Sequence, residues 1–378
     1  MKQILIVGAG ITGITLAERF ASKGCKVLIL EKRNHIGGNC YDFKNKEGIL
    51  IHKYGPHIFH TNYKEVWDYL SKFTEWIPYE HKVLGYIDGK FVPIPFNLNT
   101  LYQLLPERAE KLEKKLIEKF GYGARVPILE LMKVKDKELK FLANFIYKKV
   151  YFGYSKKQWG KSPEKMDPSV TGRVPVVISR DDRYFHDRYQ GIPKEGYTKM
   201  FEKMLKNKNI EVKLNTDFQK VKGKIKYDLM FYTGPIDEFF NFKFGKLKYR
   251  YLKIKFKTLN KKDYQPSAVV NYPELKYKFT RITEFKKLTQ QNHNKTTIGI
   301  EYPGEEGFIA WPFLDEKNKK TLKKYWNEAE KLKNQNIYFI GRLAEFKYYN
   351  MDEVVKKTLN LFSKIFNRKS FLQEILCQ

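Results

Sequence analysis

The first forty residues show an apolar run, a glycine-rich turn, a helical pattern and a second apolar run. Ile4–Val7 is continuously apolar, as expected for a parallel strand buried on both faces. Apolar residues at helical spacing then continue as far as Phe20. The second run, Val27–Leu30, ends on Glu31. The pattern predicts a strand–helix–strand unit with two parallel strands.

The turn inside this unit carries the glycine spacing of a dinucleotide-binding site. Gly8 permits a tight turn, Gly10 lets a pyrophosphate approach the backbone, and Gly13 lets the helix pack closely on the strand. Free N–H groups at the start of the helix would face the phosphates. Glu31 lies where an acidic residue accepts from a ribose hydroxyl.

Two further motifs distinguish between dinucleotides. Gly37-Gly38 follows almost at once, and an apolar run near the end of the chain, Ile337–Ile340, is followed by Gly341-Arg342. Alone, Gly37-Gly38 would be an ordinary turn. Next to the fingerprint, the combination resembles flavin proteins that hold extended FAD, so we expect FAD as the cofactor.

The rest of the chain alternates between helical and strand-like patterns. We expect a hairpin across Lys82–Pro95, turning at Asp88-Gly89, and strand-rich sequence from Tyr249 to about Ile300. Further strands are predicted at Glu211–Leu214, Asp228–Tyr232 and Ile337–Ile340. Helices are predicted at Tyr63–Phe73, Thr100–Phe120, Ile128–Tyr151, Lys319–Lys333 and Met351–Phe366.

These elements predict an α/β fold in which an FAD-binding Rossmann-like domain receives a helical insertion and an antiparallel β-sheet insertion. We expect the FAD-binding domain to be discontinuous, with the ligand cleft between the domains. The predicted boundaries are 1–75, 196–240 and 315–378 for the FAD-binding domain, 98–165 for the helical domain, and 76–97, 170–195 and 241–314 for the sheet and substrate domain.

Composition narrows the classes of function. The net charge of +30 comes mostly from lysines dispersed along the chain, which indicates a solvated surface; no specific nucleic acid is expected, because no recognisable binding module appears. No apolar run is long enough for a transmembrane helix and no secretory leader is expected. Cys25, Cys40 and Cys377 form no disulfide or metal spacing, so we predict no metal and a cytoplasmic location.

Arginines are scarce, which makes their clustering informative. Of twelve in the chain, Arg173, Arg180, Arg183 and Arg188 lie close together and alternate with aromatic residues. A guanidinium matches phosphate oxygens with a bidentate fork, whereas lysine offers only a point charge. The cluster predicts a specific anionic ligand.

Six separated motifs resemble those of bacterial UDP-galactopyranose mutases, in that family's order along the chain. They are Tyr54-Gly55-Pro56-His57-Ile58-Phe59-His60-Thr61, Gly153-Tyr154-Ser155-Lys156-Lys157-Gln158-Trp159-Gly160, Arg180-Asp181-Asp182-Arg183-Tyr184-Phe185, Lys194-Glu195-Gly196-Tyr197-Thr198, Phe279-Thr280-Arg281-Ile282-Thr283-Glu284 and Gly341-Arg342-Leu343. The resemblance implies an isomerase that interconverts pyranose and furanose forms of a nucleotide sugar, used in cell-surface polysaccharide synthesis. It also implies FAD that is active when reduced, a covalent adduct between flavin N5 and the sugar, and a homodimer.

The resemblance also implies roles for individual residues. Arg173, on a mobile loop, and Arg281 would clamp the diphosphate, with His57 against the flavin. The substrate would contact Tyr154, Trp159, Tyr184, Asn271, Trp311, Tyr348 and Asn350. The cofactor would contact Gly8, Gly10, Thr12, Gly13, Glu31, Lys32, Gly38, Asn39, His57, Ile58, Arg342 and Met351, with Arg342 at its phosphates.

The chain departs from the family pattern at two of these positions. Trp311 replaces a usual tyrosine, and Asn350 replaces a usual aspartate. Asn350 also has a structural explanation, because Asn350-Met351-Asp352-Glu353 reads as a capping box for the last helix. Losing a phenolic hydroxyl and a carboxylate from one pocket suggests a modified sugar or a different nucleotide.

Two other functions compete with a mutase. An FAD oxidoreductase of the amine-oxidase type shares the early glycine pair, but leaves Arg173 and Arg281 without a role. A basic nucleic-acid-binding protein with a vestigial flavin domain is the non-enzymatic alternative, and it would show steep salt dependence with sequence preference.

Overall fold

Five parallel strands form the sheet that carries the glycine-rich turn. The computed structural model describes residues 2–167 and 171–367. The chain extends this sheet in both directions from its first strand, the connectivity of a doubly wound fold. In spatial order the strands are Ile210–Lys213, Lys26–Leu30, Gln3–Val7, Leu229–Tyr232 and Ile337–Phe339.

Helices cover both faces of this sheet. On one face, Ile11–Ala21 and Met351–Phe366 bury aromatic rings against the strands, with Phe20 and Phe231 centroids 5.4 Å apart. Glu316–Leu332 covers the other face through residues that include the fully buried Tyr325. Further helices of these parts of the chain are Lys64–Leu70, Tyr197–Met204, Phe218–Val221 and Ile236–Phe239. The predicted α/β class is confirmed.

Capping residues explain where two of these helices begin. The last helix has the predicted bounds, and its capping box is formed, with the Asn350 N–H donating to the Glu353 carboxylate at 2.6 Å. The helix predicted from Lys319 begins earlier, at Glu316, because Asp315 accepts from the Asn318 N–H.

The helical insertion is more broken than predicted. The single helix Thr100–Phe120 was a wrong prediction, because Pro106 lacks an N–H and restricts the residue before it. The single helix Ile128–Tyr151 was also wrong, since Asp136 caps a new helix inside it. The observed segments are Leu98–Leu104, a 3₁₀ turn at Pro106–Arg108, Ala109–Phe120, Ile128–Leu131, Lys137–Ile146, a π-helical turn at Tyr147–Phe152, Gly153–Trp159 and a 3₁₀ turn at Pro163–Lys165.

A second sheet has seven strands. Its neighbours are antiparallel except for one parallel pair, formed by Val269–Asn271 and Val83–Ile87. Asp88 and Gly89 turn the predicted hairpin with φ of 49° and 81°. The spatial order is Phe308–Pro312, Tyr249–Leu259, Thr296–Gly304, Arg281–Glu284, Val269–Asn271, Val83–Ile87 and Lys90–Ile94, with a short helix at Phe285–Leu288.

The segment 170–195, predicted as part of the sheet and substrate domain, supplies strands to two smaller sheets. Val176–Val177 pairs with Arg125–Val126, which lies within the helical insertion, between Ala109–Phe120 and Ile128–Leu131. Tyr189–Pro193 lies between Phe59–Thr61 and Trp76–Pro78. A further hairpin joins Asp42–Lys44 and Leu50–His52. The predicted segments 170–195 and 315–378, and Cys377, reach partly or wholly into residues 168–170 and 368–378, which lie outside the described residues.

Candidate active site

The two glycine motifs meet at the start of the first helix. Gly8 has φ of +107°, and a Cβ on Gly13 would lie 2.0 Å from the Gly8 carbonyl oxygen, so neither position tolerates a side chain. Gly10 forms a bridge with Gly37, and a Cβ on Gly38 would approach the Gly10 Cα to 3.0 Å. The helix has no side-chain N-cap. This bare backbone at a helix N-terminus fits a dinucleotide pyrophosphate.

We call the backbone formed by Gly8, Gly10, Gly13, Gly37 and Gly38 the glycine cradle. Polar residues around it have specific hydrogen-bond partners. The buried Glu31 accepts the Ala9 and Arg33 N–H groups, both at 2.9 Å, and each carboxylate oxygen keeps a lone pair that a ribose hydroxyl could use. Asn39 donates to the Ile309 carbonyl at 2.9 Å.

Two of the predicted cofactor residues differ in their surroundings. Thr12 is buried beside Gly341, where an added Cβ would approach its Oγ1 to 3.1 Å. Lys32, by contrast, forms an exposed ion pair with Glu238 at 3.1 Å.

A cleft of about 710 Å³ gathers residues from all parts of the chain. A smaller cavity of about 160 Å³ adjoins it and is lined in part by His57, Ile58, Arg342 and Met351. The size is typical of a small-molecule site. All ten residues predicted to be catalytic or substrate-binding line the larger cleft: His57, Tyr154, Trp159, Arg173, Tyr184, Asn271, Arg281, Trp311, Tyr348 and Asn350.

Arg281 is a half-buried cation of the cleft, with 24% of its side chain exposed. Its Nη2 donates to the Tyr154 hydroxyl at 3.2 Å, and its Nε lies 3.5 Å from a Glu301 carboxylate oxygen. Burial opposes the charge, but Glu301 and Tyr154 outweigh that effect and raise the pKa of Arg281. Burial also raises the pKa of Glu301, despite the neighbouring guanidinium. One carboxylate oxygen of Glu301 and the Arg281 Nε have no hydrogen-bond partner, so the cation is incompletely satisfied.

Arg173, an exposed residue, also lines this cleft. Its guanidinium lies 4.2 Å from the Tyr348 ring centroid, and its Nη1 donates to the Tyr348 carbonyl at 3.2 Å. Its Nη2 donates to the Asn350 Oδ1 at 2.5 Å. Asn350 therefore caps the last helix and holds Arg173 at once. Its neutral amide holds the guanidinium without adding an ion pair.

The other arginines of the predicted cluster have different roles. Arg180 forms an ion pair with Glu113 at 2.7 Å, and Arg183 forms one with Asp181 at 2.7 Å. The Arg188 guanidinium lies over the Tyr189 ring. Of the four, only Arg173 lines the larger cleft. Clustering in sequence therefore did not bring all four side chains to this cleft, and the anionic ligand that the cluster predicted stays a prediction.

An aromatic wall lines one side of the cleft. Trp311 is stacked nearly parallel to Tyr348, with centroids 6.0 Å apart, and Trp159 lies 5.8 Å from Trp311. A register shift between Arg250 and Tyr251 bulges the strand that pairs with Phe308–Pro312. Bulges of this kind re-aim side chains at sheet edges.

His57 is a neutral imidazole at the junction of the two cavities. Its ring Nδ1 is 2.8 Å from the Gly55 carbonyl, and its backbone N–H donates to the ring of His52 at 3.0 Å. Burial lowers the pKa of His57 to about 3. It therefore stays uncharged at physiological pH, which suits orientation of a flavin better than proton transfer.

Arg342 contacts the cleft rather than the glycine cradle. Its guanidinium donates to the Ala310 and Tyr349 carbonyls and lies 5.7 Å from the Tyr348 ring centroid. Burial lowers its pKa. Met351 lies nearby, where its sulfur accepts from the Cys40 thiol at 3.6 Å. The expected contact of Arg342 with the cofactor phosphates stays a prediction.

Gln158 and Glu301 are among the cleft residues that sequence reasoning missed. Gln158 is 4% exposed, and neither its carboxamide oxygen nor its nitrogen has a hydrogen-bond partner. It lies one helical turn after Tyr154, a spacing that could have identified it. Glu301 is 2% exposed within the strand Thr296–Gly304, where a charge on a buried strand position was the available signal.

The protein is therefore an FAD-binding protein with a site for an anionic ligand. The evidence is the glycine cradle, the larger cleft and the two arginines, Arg173 and Arg281, that line it. The family model for UDP-galactopyranose mutase matches residues 149–348, and a model for an NAD(P)-binding Rossmann-like domain matches residues 6–73. The chain belongs to the UDP-galactopyranose mutase family. Its cofactor is FAD.

Individual relatives cover nearly the whole chain. It is 39% identical to a UDP-galactopyranose mutase of Mycoplasma genitalium, over 95% of each chain. It is 35% identical to a probable UDP-galactopyranose mutase of Klebsiella pneumoniae, over 95% of this chain and 93% of that one. It is 34% identical to a dTDP-fucopyranose mutase of Escherichia coli, over 95% and 97%.

A solved structure shares the fold. The crystal structure of a reduced UDP-galactopyranose mutase superimposes with a TM-score of 0.72 at 15% identity, and covers 97% of this chain and 94% of that one. No helix within residues 2–167 and 171–367 is long and apolar enough to cross a bilayer.

Proposed function

We propose that this protein interconverts the pyranose and furanose forms of a nucleotide sugar, UDP-galactose or a related sugar. The observation that carries the proposal is that Arg173 and Arg281 line one cleft, beside a smaller cavity lined in part by His57 and Met351. Guanidinium groups are the side chains best suited to a diphosphate. Oxidation of an amine would give this cationic pair no role.

The arginines and tyrosines would hold the diphosphate while it is detached from the sugar. Arg281 is a permanent, half-buried cation, and the exposed Arg173 can be released from Asn350 to approach the ligand. Burial raises the pKa of Tyr184 to about 12 and also raises that of Tyr348. Both phenols therefore stay protonated and can donate to phosphate oxygens.

The sugar would lie between the aromatic wall and the flavin. Trp311, Trp159 and Tyr348 offer apolar faces that exclude water while the ring is open. When bound and reduced, FAD supplies a nucleophilic nitrogen for covalent catalysis at the anomeric carbon. His57 would orient the flavin as a neutral group, and the glycine cradle, Glu31 and Asn39 would hold the rest of the cofactor.

The nucleoside would occupy the end of the cleft farther from the smaller cavity. Gln158 lines the larger cleft but not the smaller one, and its carboxamide offers one acceptor and two donors. A pyrimidine edge presents complementary groups. Asn271, whose Oδ1 also has no hydrogen-bond partner, lines both cavities and could reach the sugar or the nucleoside.

A deoxy sugar is the second candidate substrate. The Trp311 indole adds apolar surface where a tyrosine hydroxyl would bond a sugar hydroxyl, and the Escherichia coli relative is named for a fucopyranose. The double variant Trp311→Tyr with Asn350→Asp should improve kcat/KM for UDP-galactopyranose relative to dTDP-fucopyranose. If wild type already prefers UDP-galactopyranose and the double variant leaves the ratio unchanged, the two positions do not select the sugar.

The decisive experiment follows the sugar ring itself. FAD-loaded protein is incubated with UDP-galactopyranose, with or without dithionite, and the ring forms are read by NMR. We expect furanose only after reduction, with no electron acceptor consumed. Equal rates in the oxidised protein would contradict the mechanism. Oxygen consumption with an amine substrate would favour the amine-oxidase alternative.

The homodimer and the cytoplasmic location are further proposals. The first rests on the family resemblance and is tested by sedimentation at several protein concentrations. The second is supported by the two buried free thiols, Cys25 and Cys40. Fractionation of the producing cells tests it.

A further inference from the structure

One lysine, Lys157, connects the helix Gly153–Trp159 to the turn that precedes Arg281 through hydrogen bonds. The Lys157 ammonium donates to three backbone carbonyls of that turn, those of Tyr272, Glu274 and Phe279, the last two at 2.9 Å. A lysine has three N–H donors, so these carbonyls use its full capacity.

Two other contacts fix the same helix. At its start, a Cβ on Gly153 would lie 2.3 Å from the Pro273 carbonyl oxygen, so the helix begins in close contact with the same turn. At its end, the buried Arg250 donates to the Gln158 carbonyl at 2.8 Å and the Lys157 carbonyl at 3.3 Å. These are the carbonyls that a helix leaves without partners at its C-terminus.

The helix Gly153–Trp159 supplies Tyr154, and the strand that follows the turn supplies Arg281; the two side chains form a hydrogen bond in the cleft. Tyr154 lies one helical turn before Lys157, and its hydroxyl accepts from Arg281. Arg281 begins the strand two residues after Phe279, whose carbonyl is one of the three that accept from Lys157. The distance between Tyr154 and Arg281 therefore depends on how the helix sits on the turn.

We propose that Lys157 is a positioning residue that sets the geometry of Tyr154 and Arg281 for the diphosphate. The inference rests on the proposed function, since it assigns that pair to the diphosphate. Lys156 provides a matched comparison on the same helix. It is exposed, and its ammonium lies 4.8 Å from the Phe152 ring centroid without reaching the turn.

The test compares Lys157→Met with Lys156→Met in the FAD-loaded protein, with UDP as the probe. We expect Lys157→Met to bind UDP roughly tenfold more weakly, the scale of coupling within one network, and Lys156→Met to bind it unchanged. FAD content should be the same in both. Tyr154→Phe should weaken UDP binding in wild type but much less in the Lys157→Met background, since the contact is already misaligned.

Each outcome decides the proposal. Equal UDP affinity in the two lysine variants, or additive effects of Lys157→Met and Tyr154→Phe, would overturn it. If Lys157→Met fails to fold, Lys157→Arg takes its place in the same comparison. Arginine keeps the charge, but its planar guanidinium cannot bond all three carbonyls through one nitrogen, so we expect weaker UDP binding that Tyr154→Phe weakens little further. UDP affinity equal to that of wild type, or an additive effect of Tyr154→Phe, would overturn the proposal. Because UDP binding needs no turnover, a protein that binds UDP but isomerises no sugar would contradict the proposed function alone.

Discussion

Replacing Arg281 with methionine would remove a half-buried cation from the cleft while keeping a long unbranched side chain. The guanidinium is held 3.2 Å from the Tyr154 hydroxyl and 3.5 Å from Glu301. A hydrogen bond to a charged group contributes about 1.5–3 kcal/mol, and a bidentate diphosphate contact somewhat more. We therefore expect the transition state to lose about 2–4 kcal/mol of stabilisation, which lowers kcat/KM roughly 30- to 900-fold.

The same substitution also leaves Glu301 buried without its cation. Breaking a buried ion pair costs about 3–5 kcal/mol of stability when the remaining charge persists. Burial raises the pKa of Glu301, so the carboxyl can take up a proton instead. A group with a raised folded pKa stabilises the fold at low pH, and that stability is lost as the pH rises through the folded pKa. Arg281→Met should therefore be destabilised more at high pH than at low pH.

A second substitution separates the two effects. In Arg281→Met with Glu301→Gln, no buried carboxylate is left, so the melting temperature should recover and lose its added pH dependence. Activity should stay low, because no guanidinium faces the diphosphate. The assays are kcat/KM of the reduced enzyme, flavin absorbance and thermal unfolding between pH 5 and pH 9. If the double variant regains activity, Arg281 serves only as the counterion of Glu301.

Three further predictions concern neighbouring residues. Asn350→Asp should raise KM roughly two- to fivefold, because an ion pair between the new carboxylate and Arg173 competes with the diphosphate. In steady-state kinetics at several salt concentrations, this increase in KM should shrink as salt screens the ion pair. Gln158→Leu should weaken UDP binding about tenfold in calorimetry, the scale of one or two hydrogen bonds, whereas the exposed Gln103→Leu should not. Burial lowers the pKa of His52 in the folded protein to about 3 from its ordinary value of 6.5. Between these two pH values the His52 ring is protonated in the unfolded chain but not in the folded one. Stability should fall as the pH drops from 6.5 towards 3, and His52→Asn should flatten that decline in thermal unfolding.

The strand–helix–strand unit that binds the cofactor was predictable, because the sequence patterns that specify it lie among neighbouring residues. The glycine turn, the helix behind it and the strands at Gln3–Val7 and Lys26–Leu30 follow from residues adjacent in sequence. The last helix was predicted to the residue, since its capping box and periodicity lie within one segment. The helical insertion was less predictable from periodicity alone, because Pro106 and Asp136 divide it into shorter helices.

The cleft was predictable only through the family resemblance. Spacing along the chain grouped Arg173 with Arg180, Arg183 and Arg188, but the fold separates them and gives Arg180 and Arg183 carboxylate partners. Gln158 and Glu301 carried weak signals in the sequence, and their significance depends on burial without full hydrogen bonding. Burial of this kind is created by packing between distant segments.

The sequence by itself determined the parallel βαβ unit, its glycine backbone and the cap of the last helix, because each depends on steric and hydrogen-bonding preferences of neighbouring residues. The tertiary structure decided which charges meet. The parallel pairing of Val83–Ile87 with Val269–Asn271 joins segments far apart in the chain. The docking of Gly153–Trp159 on the turn before Arg281 does the same. Such contacts form only when the whole apolar core is assembled, so they determine the active site after the local elements are already fixed.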